Sequence, residues 1–279
     1  MIISGRSGIT LERRGERVAP SIAVGATYDQ DAVQYLNHIG ITNQQIIRWY
    51  CDAVAQLKSA GLWNLIFAWY PFIGATSFCH SHNAKAFWQY QATFNGSPTH
   101  NQNGVLFTVN TQYMDLGFAS GSLNQYNNTI SFYCNTSTAT ASSKFDFGAY
   151  NGVQQQHILG ALAGSTAQQY GAMYNSTNPV SALASVTGYT TALGQSHFST
   201  RANNDREIYR NGNSLATSTA VIGGTVPTAN YRLGLVNTLA ATLRRYCDIT
   251  VFNSGLTDAQ ITNHYRIINQ FNQRLNRSA

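Results

Sequence analysis

A chain of 279 residues with 43% hydrophobic content is long enough to bury one large core, so core size does not limit the choice of fold. The formal charge of +6 comes from the two ends: between Ser59 and Thr200 the only charged residues are Lys85, Asp115, Lys144 and Asp146. Basic ends without interleaved recognition motifs argue for protein docking over nucleic-acid binding, and a centre rich in Asn, Gln, Ser, Thr, Gly and Tyr suits recognition by stacking and neutral hydrogen bonds.

The first residues, MIISGRSGITLERRGERVAP, lack the apolar stretch of a secretory signal, and the expectation is a protein that folds in a reducing cytosol. Cys51, Cys79, Cys134 and Cys247 have no paired spacing and are expected as buried free thiols. Residues 1–27 are read as an arm whose Arg6, Arg13, Arg14 and Arg17 dock on a partner. Residues 28–60 follow as a helical leader. A short helix is expected from about Asp29 to His38, with Tyr28 or Thr27 ahead of it.

Thr42-Asn43-Gln44-Gln45 matches a capping box with Ile41 and Ile46 at the staple positions. It predicts a helix from Asn43 to Ala60, with Ile46, Tyr50, Val54 and Leu57 on its apolar face and Gly61 as its stop. The next stretch, LKSAGLWNLIFAWYPF, is cut by Lys58, Gly61 and Pro71, well short of the roughly 20 apolar residues that a membrane helix needs. Its aromatics are expected to plug a core, since clustered large rings usually bury their area. Cys79-His80-Ser81-His82 offers three metal-ligand types without a local fourth, and a polar loop is the preferred reading over a metal site.

Beyond this point the period changes to short alternating runs. VLFTVN (105–110), QYMDLGFAS (112–120), TISFYCN (129–135), KFDFGAY (144–150), HILGALA (157–163), TALGQSHFST (191–200), REIYR (206–210), YRLGLVN (231–237) and CDITVFN (247–253) read as nine strands. Turns every ten or so residues point to an antiparallel sandwich or barrel. Asn211-Gly212 supplies the two positive-φ residues of a tight hairpin. Thr257-Asp258-Ala259-Gln260 repeats the capping box, with Leu256 and Ile261 as the staple. A final helix is therefore expected from Asp258 to Arg274, with a stripe of Tyr265, Ile268, Phe271 and Leu275.

Enzyme chemistry finds little support. There is no Glu between Arg17 and Arg206, and Asp115 and Asp146 lie in different strands, so the paired carboxylates of a glycosidase are not in evidence. Gly-x-Ser-x-Gly is absent, His157 and His197 sit in strand runs as structural histidines, GALAGST (160–166) lacks a phosphate-loop Lys, and no carboxylate cluster suits calcium. The loop QQYGAMYNSTN (168–178) offers Tyr170, Tyr174, Asn175 and Asn178 as an aromatic and amide platform for a sugar.

The block from Leu57 to Val105, the Arg-Asn-Gly-Asn hairpin and the closing ITVFNSGLTDAQITNHYRIINQFNQRL resemble structural proteins of tailed bacteriophages and prophages that carry a concanavalin A-like (laminin G-like) jelly roll. The resemblance covers roughly Tyr28 to Leu275. It implies a mainly β fold, with residues 61–279 forming an antiparallel jelly-roll sandwich that includes the C-terminal helix at 258–275. It also implies a virion location, assembled in the host cytoplasm, as a fibre, tail appendage or capsid decoration. On this reading the protein is non-enzymatic, needs no cofactor or metal, does not enter a membrane or bind nucleic acid, and forms a homo-oligomer. Its partners are other virion proteins, through the arm, and host surface glycan. A receptor-binding lectin is the alternative, and a glycan hydrolase a more distant one.

Overall fold

The computed structural model describes residues 28–136, 145–150, 155–163, 168–172, 183–188, 191–221, 226, 228–236 and 242–277. The arm with Arg6, Arg13, Arg14 and Arg17 lies outside the described residues, as do Tyr174, Asn175 and Asn178.

Two helices open the described chain. Helix α1 (Gln30–His38) is capped by Asp29, whose carboxylate accepts the amides of Asp31 and Ala32. Helix α2 (Gln44–Ser59) is capped by Asn43, one residue later than the Thr42 box predicts. The amide oxygen of Asn43 takes both the Gln45 and Ile46 N–H groups, so Thr42 is left exposed outside the helix. The buried face of α2 is also turned slightly: Ile47, Cys51 and Ala53 join Tyr50, Val54 and Leu57, while Ile46 is half-buried.

The segment read as a core plug is one, and also a strand. Trp63 and Trp69 are buried, as are Tyr70 and Phe72, with Ile66–Tyr70 forming β1. After the five-residue helix α3 (Ser77–Ser81) come three three-residue strands, β2 (Thr93–Asn95), β3 (Thr99–Asn101) and β4 (Gly104–Leu106). The remaining strands are β5 (Tyr113–Ala119), β6 (Asn128–Cys134), β7 (Phe147–Tyr150), β8 (Gln155–Ala163), β9 (Gln168–Ala172), β10 (Leu183–Val186), β11 (Gly194–Ala202), β12 (Asp205–Arg210), β13 (Asn213–Ser218), β14 (Asn230–Leu233) and β15 (Arg245–Phe252). Helix α4 (Asp258–Arg274) closes the chain with the predicted bounds, and its Thr257/Gln260 capping box is fully formed.

Fifteen strands among the described residues exceed the nine expected. β1 to β3, β9 and β10 are outside the nine runs, β13 is the second arm of the Asn-Gly hairpin, and the expected run 105–110 ends at Leu106. Every pairing is antiparallel, and the strands form two sheets. The first runs β13-β12-β11-β6-β15-β4-β3, with β1 pairing the far end of β15. The second runs β10-β9-β8-β7-β14-β5-β2. The expected β-sandwich is therefore the observed fold. Asn211 (φ 50°) and Gly212 (φ 77°) make the two-residue turn joining β12 to β13, as the Asn-Gly pair predicts.

The sandwich has two cores because the first sheet is covered on both faces. Between the sheets lie Tyr70, Phe107, Leu116, Phe132, Phe198, Ile208 and Val251. Against its outer face pack α1, α2 and α4, burying Tyr35, Tyr50, Leu57, Trp69, Tyr133, Tyr209, Phe252 and Phe271. Alternation along each strand sorts the side chains. A bulge between Tyr246 and Asp248 in β15 breaks that alternation, after which Ile249 and Val251 return to the inner core and Phe252 faces the helices.

The helix-facing side of this sheet is unusually polar. The Asp248 carboxylate accepts hydrogen bonds from Trp69 Nε1 (2.6 Å) and Thr250 Oγ1 (3.0 Å), and burial pushes its pKa up to about 7. His264 of α4 sits against His197 of β11 (Nδ1 to Nε2, 2.9 Å) and near the Gln195 amide (3.3 Å). The stripe read for α4 omitted His264 and Asn272, both fully buried, and included Tyr265, which is half-buried.

Candidate functional site

Phe78, His82, Phe87 and Trp88 lie close together in sequence, and the fold adds His38 from α1 to them. Phe78 and His82 have ring centroids 4.5 Å apart, His82 and His38 4.6 Å, His38 and Phe87 4.6 Å, and Phe87 and Trp88 4.6 Å. The result is a continuous ladder of five rings. Its two ends are open to solvent: Phe78 is 51% exposed and Trp88 68%. Partial desolvation among its ring neighbours, and then His82 beside it, lowers the pKa of the His38 imidazole.

Local hydrogen bonds fix the ladder. Thr76 caps α3 through Cys79 N–H (3.2 Å), His82 Nδ1 meets the Phe78 carbonyl (2.7 Å), and Ser81 Oγ donates to the same oxygen (2.9 Å). Ala92 N–H donates to the Ser81 carbonyl (2.8 Å), tying the end of the segment back to α3. Buried Asn83 accepts from Trp69 N–H and Lys85 N–H, anchoring the middle of the segment to β1. Rigid rings presented on a hydrogen-bonded frame lose little entropy on binding a ligand.

Beside Phe78 opens a hollow of about 380 Å³, lined by Ser77, Phe78, Ser81, Gln91, Ala92, Thr93 and Phe94. Its polar groups are hydroxyls and an amide, and Ser77, Gln91 and Thr93 are exposed. Neutral donors and acceptors beside an exposed ring match the chemistry of a sugar, which offers an apolar C–H face and several hydroxyls. A separate cleft of about 390 Å³ lies between the start of α2 and the chain end, with Trp49, Gln45, Gln102 and Arg277 in its wall.

The predicted residues fare unevenly. Tyr170 lies in strand β9, at Gly160 and Ser185 in the pairing register, so this part of the expected loop is sheet. The Cys79-His80-Ser81-His82 run does not converge on a common point. Cys79 Sγ contacts Thr76 Oγ1 and the Ile39 carbonyl, while His80 spans His100 Nδ1 and the Gly74 carbonyl, each at 3.0 Å. Among the described residues no group of three or more His, Cys, Asp or Glu is placed to hold a metal ion. All four cysteines are free and buried, as expected, and burial raises the thiols of Cys51 and Cys134 to about 11 and Cys247 to about 12. His197 is a buried structural histidine, as expected.

The two central acids are both engaged. Asp115 lies on the outer face of the second sheet, bonded by Asn230 Nδ2 (2.9 Å) and Gly117 N–H (3.0 Å) beside Arg232 (3.5 Å). Asp146 is fully buried, with Arg244 Nη1 at 2.6 and 2.7 Å from its two oxygens and Tyr246 OH at 2.5 Å. Among the described residues neither is bonded to another carboxylate. Sequence reasoning missed Phe78 and Trp88; the available signal for Trp88 was the AFWQYQ run (86–91), large rings interleaved with uncharged amides between α3 and β2.

No protein-family model and no curated protein sequence matches the chain. Solved structures match it in fold. Domain 4 of AbnA, a GH43 extracellular arabinanase from Geobacillus stearothermophilus solved with arabinotriose, is 13% identical with a TM-score of 0.53, covering 72% of this chain and 98% of that one. Trypanosoma rangeli sialidase in complex with sialic acid is 14% identical with a TM-score of 0.53, covering 80% of this chain and 38% of the sialidase. The binding domain of botulinum neurotoxin serotype D is 10% identical with a TM-score of 0.52, covering 74% and 52%. The chain thus spans well under two thirds of the sialidase and the neurotoxin domain, and the likeness to all three is one of β-sandwich fold.

Proposed function

We propose that the protein is a non-enzymatic glycan-binding β-sandwich, carried on a tailed-phage particle as a fibre, tail appendage or capsid decoration. The observation that carries the glycan reading is the ring ladder: two solvent-open aromatics, Phe78 and Trp88, on a rigid frame beside a hollow of hydroxyls and amides. A matched β-sandwich solved with a bound arabinose trisaccharide supports the same class of ligand. The engaged state of Asp115 and Asp146 supports binding without turnover, because a glycosidase needs one carboxyl free to give a proton and another free to attack or activate water.

The particle setting rests on the resemblance of two sequence blocks to phage structural proteins. Those blocks supply β1, four of the five ladder rings, the second half of β15 and α4. Docking through Arg6, Arg13, Arg14 and Arg17 and a homo-oligomeric state belong to the same proposal. A glycan array probed with the purified protein tests the binding reading, with retention expected and no cleavage of any bound oligosaccharide. Pull-down on purified particles, with and without residues 1–20, tests the setting. Absence of the full-length protein from particles overturns it.

A further inference from the structure

A further cleft, of about 410 Å³, is lined by Asp31, Lys58, Gly61, Trp63, Asn64 and Lys85. Two ammonium groups converge on one indole there: Lys58 Nζ lies 5.6 Å and Lys85 Nζ 4.5 Å from the Trp63 ring centroid. Their surroundings differ. Lys58 is neutralised twice, by Asp29 and Asp31, each at 2.7 Å. Lys85 has no carboxylate within 4.0 Å among the described residues, although its backbone is pinned through Asn83. Burial, with Lys58 adding to it and Asp31 opposing it, disfavours the charged form of Lys85. With Lys58 already paired, Lys85 is the cation of this concave site left to meet an incoming anion, which would offset the cost of burying its charge.

We propose that this cleft binds the carboxylate of an acidic sugar, with Lys85 as the charge partner, Trp63 as the wall behind it and the exposed Asn64 amide as a donor. The inference deepens the glycan reading and rests on it: it gives the ligand an acidic residue next to the neutral, ring-stacked ones. Lys85 stands three positions before Trp88, on the same short segment as the ring ladder.

The test is calorimetric titration of the full chain with trigalacturonic acid, its methyl ester, a neutral arabinose trisaccharide and a polyglutamate peptide. The wild type is compared with Lys85→Gln and Lys85→Arg, with melting curves as folding controls. The expected result is binding of the acid at least about tenfold tighter than of the ester, lost in Lys85→Gln and largely kept in Lys85→Arg. Binding of the neutral trisaccharide should be unchanged in both variants. Equal affinity for acid and ester, or an acid affinity that Lys85→Gln does not change, overturns the proposal while leaving the glycan reading intact. Lys85-dependent binding of polyglutamate without binding of the sugar acid also overturns it. Failure of every sugar to bind overturns the proposal and the glycan reading together.

Discussion

Replacing Arg244 by Met strands a carboxylate in the heart of the sandwich. Asp146 and Arg244 are both fully buried, and one guanidinium nitrogen reaches both Asp146 oxygens, at 2.6 and 2.7 Å. Tyr246 OH stays as a donor at 2.5 Å, so the residual anion keeps a hydrogen bond but loses its counter-charge. Breaking such a pair from one side costs about 3–5 kcal/mol, and for a domain of this size that lowers Tm by about 10 °C. Asp146→Asn leaves the guanidinium buried without its anion and should cost a similar amount. The double variant removes both charges, and its cost should fall short of the sum of the single costs by about 2 kcal/mol or more. Urea denaturation followed by tryptophan fluorescence measures all four corners of the cycle. Additive costs, or an Arg244→Met cost below about 1 kcal/mol, would refute the claim that this ion pair is a closed, desolvated unit.

Acidification should destabilise the fold. Burial holds His80 and His264 near pKa 3 and His197 well below its usual range, so each contributes stability above about pH 6.5 that is lost as pH falls towards 3. Asp248, raised to about 7, acts in the opposite sense, contributing below 3.8 and losing that contribution as pH rises through 7. Between pH 3.8 and 6.5 the buried imidazoles oppose one carboxyl, so urea midpoints should drop from pH 6 to pH 5, and a flat profile contradicts the assignment. Gly104→Ala should fold poorly, because φ is +104° and a Cβ there would sit 2.0 Å from the Tyr246 carbonyl oxygen; a Tm within a few degrees of wild type would contradict it. Thr257→Ala should cost about 1 kcal/mol by removing the α4 cap, with no change in glycan binding.

The helices were legible because their starts are chemical. The Thr257/Gln260 box sets the first residue of α4, and the one-residue error at α2 arose because Asn43 is itself a strong cap and takes two amides where Thr42 takes none. Long strands such as β6, β11 and β15 were legible from alternation, whereas β2 and β3 have three residues each, too few to show a period. The buried His264, Asn272 and Asp248 escaped because hydrophobic periodicity cannot register a polar side chain whose partner is a facing histidine, its own helix backbone or a neighbouring indole. The site escaped for another reason: His38 and Phe87 are far apart in sequence, and the ladder exists only once α1 is packed beside the 76–94 segment.

The four tryptophans give the most direct test of the central claim. Trp69 is fully buried and Trp63 nearly so, Trp49 is half-buried, and Trp88 is 68% exposed at the end of the ladder. Titrating the labelled protein with an oligosaccharide retained on the array, while following the four indole N–H signals by NMR, reads each ring separately. The account predicts that the Trp88 signal shifts with saturation while Trp69 stays fixed, and that Phe78→Ala weakens the same titration about tenfold or more. A bound oligosaccharide that leaves Trp88 unmoved, or that shifts Trp49 alone, would place the glycan elsewhere and contradict the account.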